Sequence, residues 1–475
     1  MMYKRNLIKK IMLFALTMVL VFGMIPVFAY ETDELPAGGT EYYFSDVPED
    51  SYYFDAVYWA LDRYVTNGTS YNTFSPEKIC TRAQVMTFLW RAKGNPEPAS
   101  RENPFRDVPK NSYYEQAVLW AVGAGITNGT SATTFSPDKV CNYAEILTFL
   151  WRANGMPAPE GDYIYPLGYK DSWYSDAVTW ARENALLEDF GDGFDPMEPC
   201  TRARTVTWLY RDAQYYVDSV EELMDAIGPG RDIHLEPGTY NLTTWMEKVM
   251  GPAPDWDNPY VIINEVSDGY EVQILGLKNT EFLSSDGKAG SVKITVEPRC
   301  ASVLSFYDCD NVMLTNLTLG HTWGKGECTG AVITAAICGE LWLDGLDLYG
   351  CGAYGISTDD VMGVYAENCV IRDCTEGLMK CSGAQFARFL GCQFRTTRGQ
   401  YLVSAAGDSW LIFEECSFKN LSWDTNGGAF LDVEEDGAVN FYDCSLPQSI
   451  FRSIQNDPGY GRNIFVREEN EENTI

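Results

Sequence analysis

Side chains suited to acid–base chemistry are few and lie in the second half of the chain. His321 and Glu327 share one predicted loop, and Asp359 and Asp360 are adjacent acids at the end of a predicted strand. A glycoside hydrolase needs two carboxyl groups that flank the sugar, and a polysaccharide lyase needs a base together with a cation or basic cluster. These four residues are candidates for catalysis, but they complete neither set. Adjacent acids at a turn are also more often solvated or capping groups than catalytic ones. The sequence leaves the question of an enzyme open.

Other side chains in the same half are suited to holding a glycan. Five basic residues form a local cluster in an acidic chain: Arg372, Lys380, Arg388, Arg395 and Arg398. The cluster fits an anionic glycan and equally a plain exposed face. Three tryptophans in long predicted loops either line a sugar site or pack in the core: Trp245, Trp256 and Trp323. The sequence has no Cys-x-x-Cys pair and no His/Cys cluster, so we predict no metal and no cofactor.

The overall composition argues against several classes of protein. Acidic residues number 67 against 35 basic ones, which gives a formal charge of −32. Most of such a surface would repel a phosphate backbone, so we expect no nucleic-acid partner. Hydrophobic residues make up 45% of the chain, enough for buried cores, and a length of 475 residues predicts two or more domains.

The beginning of the chain is typical of an export signal. A basic stretch ends at Lys10, and an uncharged apolar run covers residues 11–28. Val27-Phe28-Ala29 places small side chains at the spacing that signal peptidase recognises. We expect residues 1–29 to be removed, which leaves a secreted protein without membrane contact. An uncleaved membrane anchor is the alternative that the length of the run permits.

Three ordered repeats follow the signal. The segment from Phe44 to Pro48 recurs from Phe105 to Pro109, and a third, shorter copy contains Asp171. We place the copies at residues 42–98, 103–158 and 165–213. Apolar spacing predicts two helices in each copy, with a turn between them. A helical hairpin of this size cannot bury its own apolar face, so we expect the three copies to pack together.

The repeat pattern resembles the S-layer homology family over residues 44–213. The family signature Thr-Arg-Ala-Glu stands as Thr81-Arg82-Ala83-Gln84 in the first copy and as Thr201-Arg202-Ala203-Arg204 in the third, whereas the second copy has Asn142-Tyr143-Ala144-Glu145. The resemblance implies an all-α, pseudo-threefold prism with a groove between neighbouring copies. Family members hold an acidic, often pyruvylated, secondary cell-wall polysaccharide in these grooves.

The resemblance also assigns roles to three residues at the start of the second helices. Arg82 and Arg202 occupy the motif arginine position, and the resemblance implies that they meet the acid group of the polymer. A two-pronged guanidinium suits a carboxylate, although pairing with a neighbouring acid of the protein is the alternative. Tyr143 replaces the arginine in the second copy, so we expect the groove that it serves to be weakened or altered.

Aspartates and glycines of the repeats complete the binding site that the resemblance implies. Asp46, Asp107 and Asp171 occupy the opening aspartate position, and a cap on the first helix is the alternative role for Asp46 and Asp107. Gly68 and Gly129 lie in the loop where the backbone would approach the sugar.

The second half of the chain predicts a stack of short parallel strands. Positions 317, 346, 369, 392, 416 and 444 align, and apolar residues alternate with polar ones around each of them. A short strand that repeats at this period is the signature of a parallel solenoid. A predicted helix near residue 220 and the turn at residues 237–240 resemble the opening of a pectin-lyase-like right-handed parallel β-helix. We assign residues 215–450 to the β-helix and 451–475 to a C-terminal cap and acidic tail.

Fourteen cysteines in a secreted chain would suit a disulfide scaffold, but their places in the repeats predict otherwise. Four share one coil position and three share one position of the helical repeats: Cys369, Cys392, Cys416 and Cys444, then Cys80, Cys141 and Cys200. Equivalent positions are poor disulfide partners unless ladder neighbours are adjacent. We predict mostly buried thiols, which an anaerobic habitat would tolerate.

Together these features predict a secreted protein of a Gram-positive cell surface. The helical repeats would hold it non-covalently on the secondary cell-wall polysaccharide, and the β-helix would bind an extracellular glycan or act as an adhesin. A wall-anchored lyase or hydrolase that acts on an acidic polysaccharide is the alternative, and a structural spacer is the third possibility.

Overall fold

The computed structural model describes residues 44–159, 172–251, 256–324, 328–350, 353–383, 386–423 and 428–467. These residues form two compact units, which divide between Asp212 and Ala213. Within the described ranges, no helix is both long enough and apolar enough to cross a membrane. The expected export signal, residues 1–29, lies outside them.

Each repeat of the first unit contributes two helices. They are α1 (Phe54–Asp62) and α2 (Arg82–Ala92), α3 (Glu115–Gly123) and α4 (Tyr143–Ala153), and α5 (Ser175–Glu183) and α6 (Arg202–Asp212), with a 3-10 helix (Glu188–Gly193) before α6. A capping box begins α2 and another begins α4, because Thr81 and Asn142 each exchange hydrogen bonds with the residue three positions later. The start of each of these helices is therefore encoded locally.

A closed ring of backbone hydrogen bonds ties the three repeats together. Cys80 N donates to Cys200 O (2.9 Å), Cys200 N donates to Cys141 O (2.9 Å), and Cys141 N donates to Cys80 O (3.1 Å). All three cysteines are fully buried. The three repeats meet at this ring, where a small apolar side chain such as that of cysteine fits. The predicted pseudo-threefold association of helical repeats is confirmed.

The opening aspartates organise a loop and do not cap the first helices. Asp46 accepts hydrogen bonds from Phe74 N (2.8 Å) and Ser75 N (2.7 Å), and Asp107 accepts the equivalent pair in the second copy. No side chain caps α1 or α3. The alternative role as a helix cap is therefore wrong for both aspartates. Ser75 has a φ of 60°, which turns its N–H and the preceding one toward the same carboxylate.

The second unit is a parallel β-helix of about seven turns. In the described residues its larger sheet contains β1 (Gln214–Val217), β2 (Asp232–Leu235), β4 (Val261–Val266), β5 (Gly269–Leu275), β6 (Lys278–Ser284), β8 (Leu304–Tyr307), β9 (Asp310–Thr315), β11 (Ile333–Asp344), β13 (Tyr354–Glu367), β15 (Gly377–Ser382), β16 (Phe386–Leu390), β19 (Tyr401–Ala405), β20 (Trp410–Glu414), β23 (Ala429–Val433), β24 (Ala438–Tyr442) and β25 (Ile464–Arg467). A second sheet contains β3 (Gly238–Asn241), β7 (Val292–Val296), β10 (Thr318–His321), β12 (Asp347–Tyr349), β14 (Val370–Arg372), β17 (Gln393–Arg395) and β21 (Ser417–Lys419). A short pair, β18 (Arg398–Gly399) and β22 (Ser422–Trp423), lies apart from both.

The strand register confirms the predicted coil alignment. Leu343 pairs with Leu314 and Ala366, and the same row continues through Phe389, Phe413 and Phe441. The rings of Phe389 and Phe413 stack at 5.0 Å with an interplanar angle of 11°, and Phe413 stacks on Phe441 at 5.1 Å. Like side chains therefore pile on one another inside the solenoid, and burial of these rows stabilises it.

The cysteines follow the same rule. Thirteen lie in the described residues, all as free thiols, and only Cys300 and Cys444 among them are partly exposed. Burial raises the pKa of Cys392 well above its ordinary value. The Cys392 thiol therefore remains protonated and behaves as a small apolar side chain.

Two features of the β-helix differ from a plain stack of coils. β4 and β5 form an antiparallel hairpin, and β5 pairs with β8 of the larger sheet. At the other end, helix α9 (Gln448–Gln455) buries Ile450 and Ile454, and β25 pairs with β24. The sheet thus continues into the segment that we had assigned to a cap and tail. Helices α7 (Val220–Ala226) and α8 (Leu242–Val249) pack near its beginning.

His321, at the end of β10, is a core residue of the solenoid. It is 1% exposed, and its Nε2 lies 2.8 Å from Ala301 O. Burial lowers its pKa below the ordinary value, and the hydrogen bond to Ala301 offsets this only in part. The folded protein therefore favours the neutral imidazole.

Gly129 carries a prediction about the repeats. Its φ is +77°, and an added Cβ would lie 2.5 Å from both Phe105 Cε1 and Thr134 O. We expect Gly129→Ala to lower the free energy of unfolding by about 2–4 kcal/mol, measured by urea unfolding followed through the helical circular dichroism signal. Gly125→Ala is the matched control, because Gly125 has a φ of +72° but open space around it, and about 1 kcal/mol is expected there. Equal losses would contradict the clash.

His321 carries a prediction about pH. Below about pH 6.5 the unfolded chain takes up a proton that the folded imidazole resists, so this residue removes stability as the pH falls. We expect the urea midpoint of the wild-type protein to fall more than that of His321→Gln between about pH 8 and about pH 5. His234→Gln controls for the loss of an imidazole elsewhere in the unit. Parallel curves for the wild type and His321→Gln would show that His321 protonates freely in the folded state.

Candidate functional site

The second helix of each repeat begins at the boundary with another repeat. Arg82 N donates to Lys139 O of the second copy (2.9 Å), and Tyr143 N donates to Glu198 O of the third copy (3.0 Å). Arg202 N closes the cycle by donating to Lys78 O of the first copy (2.8 Å). We name the three boundaries the Arg82, Tyr143 and Arg202 junctions, after the first residue of each second helix. The backbone alone directs these three side chains across the boundaries.

The Arg82 junction holds its guanidinium between two phenylalanine rings and an acid. Arg82 Nε donates to Phe135 O (3.0 Å), and Cζ lies 5.0 Å from the ring centre of Phe135 and 5.1 Å from that of Phe149. Nη1 lies 3.4 Å from Glu145 Oε1, and Nη2 lies 3.4 Å from Thr127 Oγ1. Arg82 therefore pairs with an acid of the protein, Glu145, which is the alternative to contact with a ligand.

The Arg202 junction has the same frame without the acid. Arg202 Nε donates to Phe74 O (2.9 Å), Nη2 donates to Thr66 Oγ1 (3.2 Å), and Cζ lies 4.7 Å from the ring centre of Phe74 and 5.1 Å from that of Phe88. Among the described residues, none brings a carboxylate into ion-pair contact with Arg202. Burial lowers the pKa of Arg202, but an arginine keeps its proton at any physiological pH. Arg202 is thus a buried cation on which Asp46 acts from beyond ion-pair distance.

The Tyr143 junction is built differently. The ring of Tyr143 stacks on Phe194 at 5.8 Å and meets Trp208 edge-on at 5.1 Å, and burial raises its pKa to about 12. Arg204 lies nearby, 4.3 Å from the ring centres of both Tyr52 and Phe190. The junction is filled by aromatic rings, in keeping with the predicted alteration at Tyr143.

The other predicted binding residues hydrogen-bond to the residues that contact the motif arginines. Asp46 accepts from Phe74 N, and the carbonyl oxygen of Phe74 accepts from Arg202. Gly68 N donates to Thr66 Oγ1 (3.2 Å), the hydroxyl that also meets Arg202. In the Arg82 junction, Asp107, Gly129 and Thr127 repeat this arrangement. Asp171 lies outside the described residues.

Sequence reasoning missed the two threonines. Thr66 and Thr127 are both almost fully buried, and each joins a turn glycine to the motif arginine of another repeat. The signal was present, because Thr-Asn-Gly occurs at the same place in the first two copies. A glycine turn explains the asparagine and the glycine but not the threonine, whose partner is distant in sequence.

The catalytic candidates do not form one site. Asp359 and Asp360 are exposed on β13 of the larger sheet, whereas the buried His321 belongs to β10 of the second sheet. Glu327 lies outside the described residues. Within the part of the chain that the structure describes, no group of three or more His, Cys, Asp or Glu residues has the geometry to hold a metal ion.

The basic stretch of the β-helix is partly neutralised by acids. Arg372 contacts Asp347 and Asp373, both at 2.8 Å, and Nε of Arg388 donates to Glu414 (3.0 Å). The remaining three members are exposed: Lys380, Arg395 and Arg398. Two of the five basic residues therefore take part in surface ion pairs, and the other three are exposed.

A cavity of about 510 Å³ lies beside Trp323 in the β-helix unit. Trp323 is 46% exposed and lines it, whereas Trp245 is buried and meets Trp256 edge-on at 4.8 Å. Arg299 stacks over the Trp323 ring at 4.3 Å. Three acids also line the cavity: Glu247, Asp268 and Glu297. Burial raises the pKa of Asp268, but backbone hydrogen bonds from residues 299 and 300 outweigh this and hold it below its ordinary value.

Comparison with known proteins places the repeats in a family. The S-layer homology domain model matches residues 43–86, 104–147 and 169–203. Similar proteins include a cell surface protein of Thermoanaerobacter kivui, 31% identical over 34% of this chain and 20% of that protein. The S-layer protein sap of Bacillus anthracis is 24% identical over 56% of this chain and 32% of its own length, and an endoglucanase of Bacillus sp. strain KSM-635 is 29% identical over 46% and 24%. The chain thus spans between a fifth and a third of these relatives.

Solved structures resemble the β-helix at low identity. The pectate lyase pelN from Paenibacillus sp. 0602 gives a TM-score of 0.34 at 12% identity, covering 52% of this chain and 81% of that one. A pectin methylesterase from Aspergillus niger gives 0.31 at 13% identity, with coverages of 54% and 81%. The first unit of this chain contains three S-layer homology domains, and the strand pairing within the second unit makes it a parallel β-helix.

Proposed function

We propose that the helical module attaches this protein non-covalently to an acidic, pyruvylated secondary cell-wall polysaccharide. The observation that supports this is Arg202, a buried cation at a repeat boundary whose neighbours are phenylalanine rings, a carbonyl oxygen and a hydroxyl. A buried cation with no carboxylate in direct contact is poorly compensated, so an incoming carboxylate gains more there than at a solvated arginine.

The net charge of the protein sharpens this argument. At −32, the chain as a whole repels an acidic polymer. Attachment to such a polymer therefore requires a local cation that the ligand reaches at short range. The motif arginines meet this requirement, because their guanidinium groups lie at the junctions and not among exposed acids.

For the β-helix, we propose glycan binding at the cavity beside Trp323. Exposed tryptophan provides an apolar face for a sugar ring, and carboxylates accept hydrogen bonds from sugar hydroxyl groups. Acids outnumber arginine in the lining, so a neutral or amine-bearing glycan fits this cavity better than a uronate. The three catalytic candidates that the structure describes do not line this cavity, and a degrading enzyme remains the second proposal for this unit.

The attachment is tested by sedimentation of the purified protein with isolated cell walls. We expect the protein to sediment with intact walls and to stay in solution when the secondary polymer has been removed by acid extraction. Arg202→Lys should reduce sedimentation, because an ammonium keeps the charge but cannot make the two-pronged contact. Undiminished binding to stripped peptidoglycan would contradict the proposed ligand.

The β-helix proposal is tested with a panel of immobilised neutral, amine-bearing and uronate-containing glycans. We expect retention on the first two classes. In Trp323→Ala the affinity should fall at least about fivefold, since stacking of a sugar on an aromatic ring is worth about 1 kcal/mol or more. Trp173→Ala, an exposed tryptophan of the helical unit, is the matched control. Release of reducing or unsaturated ends from any glycan would favour the enzyme instead.

A further inference from the structure

The three junctions carry different charges at two equivalent positions. The first position is the third residue of the second helix in the repeat opposite the naming residue. It is Glu145 at the Arg82 junction, Gln84 at the Arg202 junction and Arg204 at the Tyr143 junction. The second position is the residue whose carbonyl oxygen accepts from the N–H of the naming residue. It is Lys139 for Arg82, Lys78 for Arg202 and Glu198 for Tyr143. Equal backbones therefore surround unequal electrostatic environments.

At the Arg82 junction, an acid of the protein already pairs with the motif arginine. Glu145 Oε1 lies 3.4 Å from Arg82 Nη1 and 2.7 Å from Lys139 Nζ. Glu145 Oε2 also accepts from Asn142 N (3.2 Å), so the side chain is held in place by the capping box. A ligand carboxylate has to compete with this bridge for the same two cations.

At the Arg202 junction, the equivalent side chain is a neutral amide. Gln84 Oε1 accepts from Thr81 N (3.1 Å), which keeps the capping box intact without adding a charge. Asp46 is the acid that acts on Arg202, and both of its oxygens are engaged by backbone N–H groups. Asp107 has the same place at the Arg82 junction, so the aspartates do not distinguish the two. The difference is one negative charge.

At the Tyr143 junction, the charge is reversed. Arg204 is held by Asp189 at 2.6 Å, and Asp189 also contacts Arg211 at 2.9 Å. Glu198 stands where the other two junctions have a lysine. With tyrosine in place of the motif arginine, the arginine that lies at this junction, Arg204, is already paired with Asp189, and Glu198 adds an acid.

We infer that the Arg202 junction is the principal site for the acid group of the wall polymer, and that the neutral Gln84 determines this preference. The Arg82 junction is a weaker site because of Glu145, and the Tyr143 junction does not take the anion. This inference rests on the proposed wall attachment, and it adds that one chain engages the polymer mainly through one of its three repeat boundaries.

The test exchanges glutamine and glutamate between the two arginine junctions. Both residues serve equally well at the third position of a capping box, so each exchange changes charge while the helix start is kept. The full-length protein is titrated calorimetrically with a synthetic hexosamine methyl glycoside that bears a pyruvate ketal. We expect one dominant site in the wild type, an affinity about tenfold or more lower in Gln84→Glu, and a second site of comparable affinity in Glu145→Gln. Gln116→Glu, which adds the same charge on the exposed face of α3, should match the wild type.

The outcomes separate the two proposals. Two equal sites in the wild type, or an unchanged affinity in Gln84→Glu, would overturn the ranking of the junctions while leaving wall attachment in place. No binding of the glycoside to any of these proteins, together with no sedimentation on intact walls, would overturn the attachment itself.

Discussion

Three backbone hydrogen bonds among Cys80, Cys141 and Cys200 close the helical unit into a ring, and the rest of that unit depends on this closure. One repeat is too small to bury its apolar face, so each second helix packs against another repeat. Closure also places the first residue of every second helix at a boundary. The packing of the repeats against one another thus determines where a guanidinium is buried.

Burial gives the motif arginines their chemical character. In water, a guanidinium and a carboxylate gain little from each other, because both are well solvated and screened. Between two phenylalanine rings, the same guanidinium is less solvated and its hydrogen-bond donors have fixed directions. Arg202 is in this state without an acid of its own, whereas Arg82 shares Glu145 with a lysine. Two residues of one motif therefore have unequal capacity for a ligand.

The β-helix buries its apolar residues in one continuous stack of coils. Its interior is made of rows of like side chains, and the phenylalanine stacks and the cysteine ladder are two such rows. Uniform rows leave little room for a catalytic group to be held by particular neighbours. His321 illustrates this, because it takes part in the packed interior and not in a reactive surface. Variation is concentrated in the loops and in the β4–β5 hairpin, where the cavity beside Trp323 lies.

The repeats, the helices and the coils could be predicted from the sequence alone, because they depend on apolar periodicity and on local capping residues such as Thr81 and Asn142. Which side chains contact each other depends on the tertiary structure. The role of Asp46 as a loop organiser, the contact of Thr66 with Arg202 and the bridge from Glu145 to Arg82 all join residues that are far apart in the chain. Periodicity carries no information about such pairs, since it records which face a residue occupies and not which neighbour lies opposite.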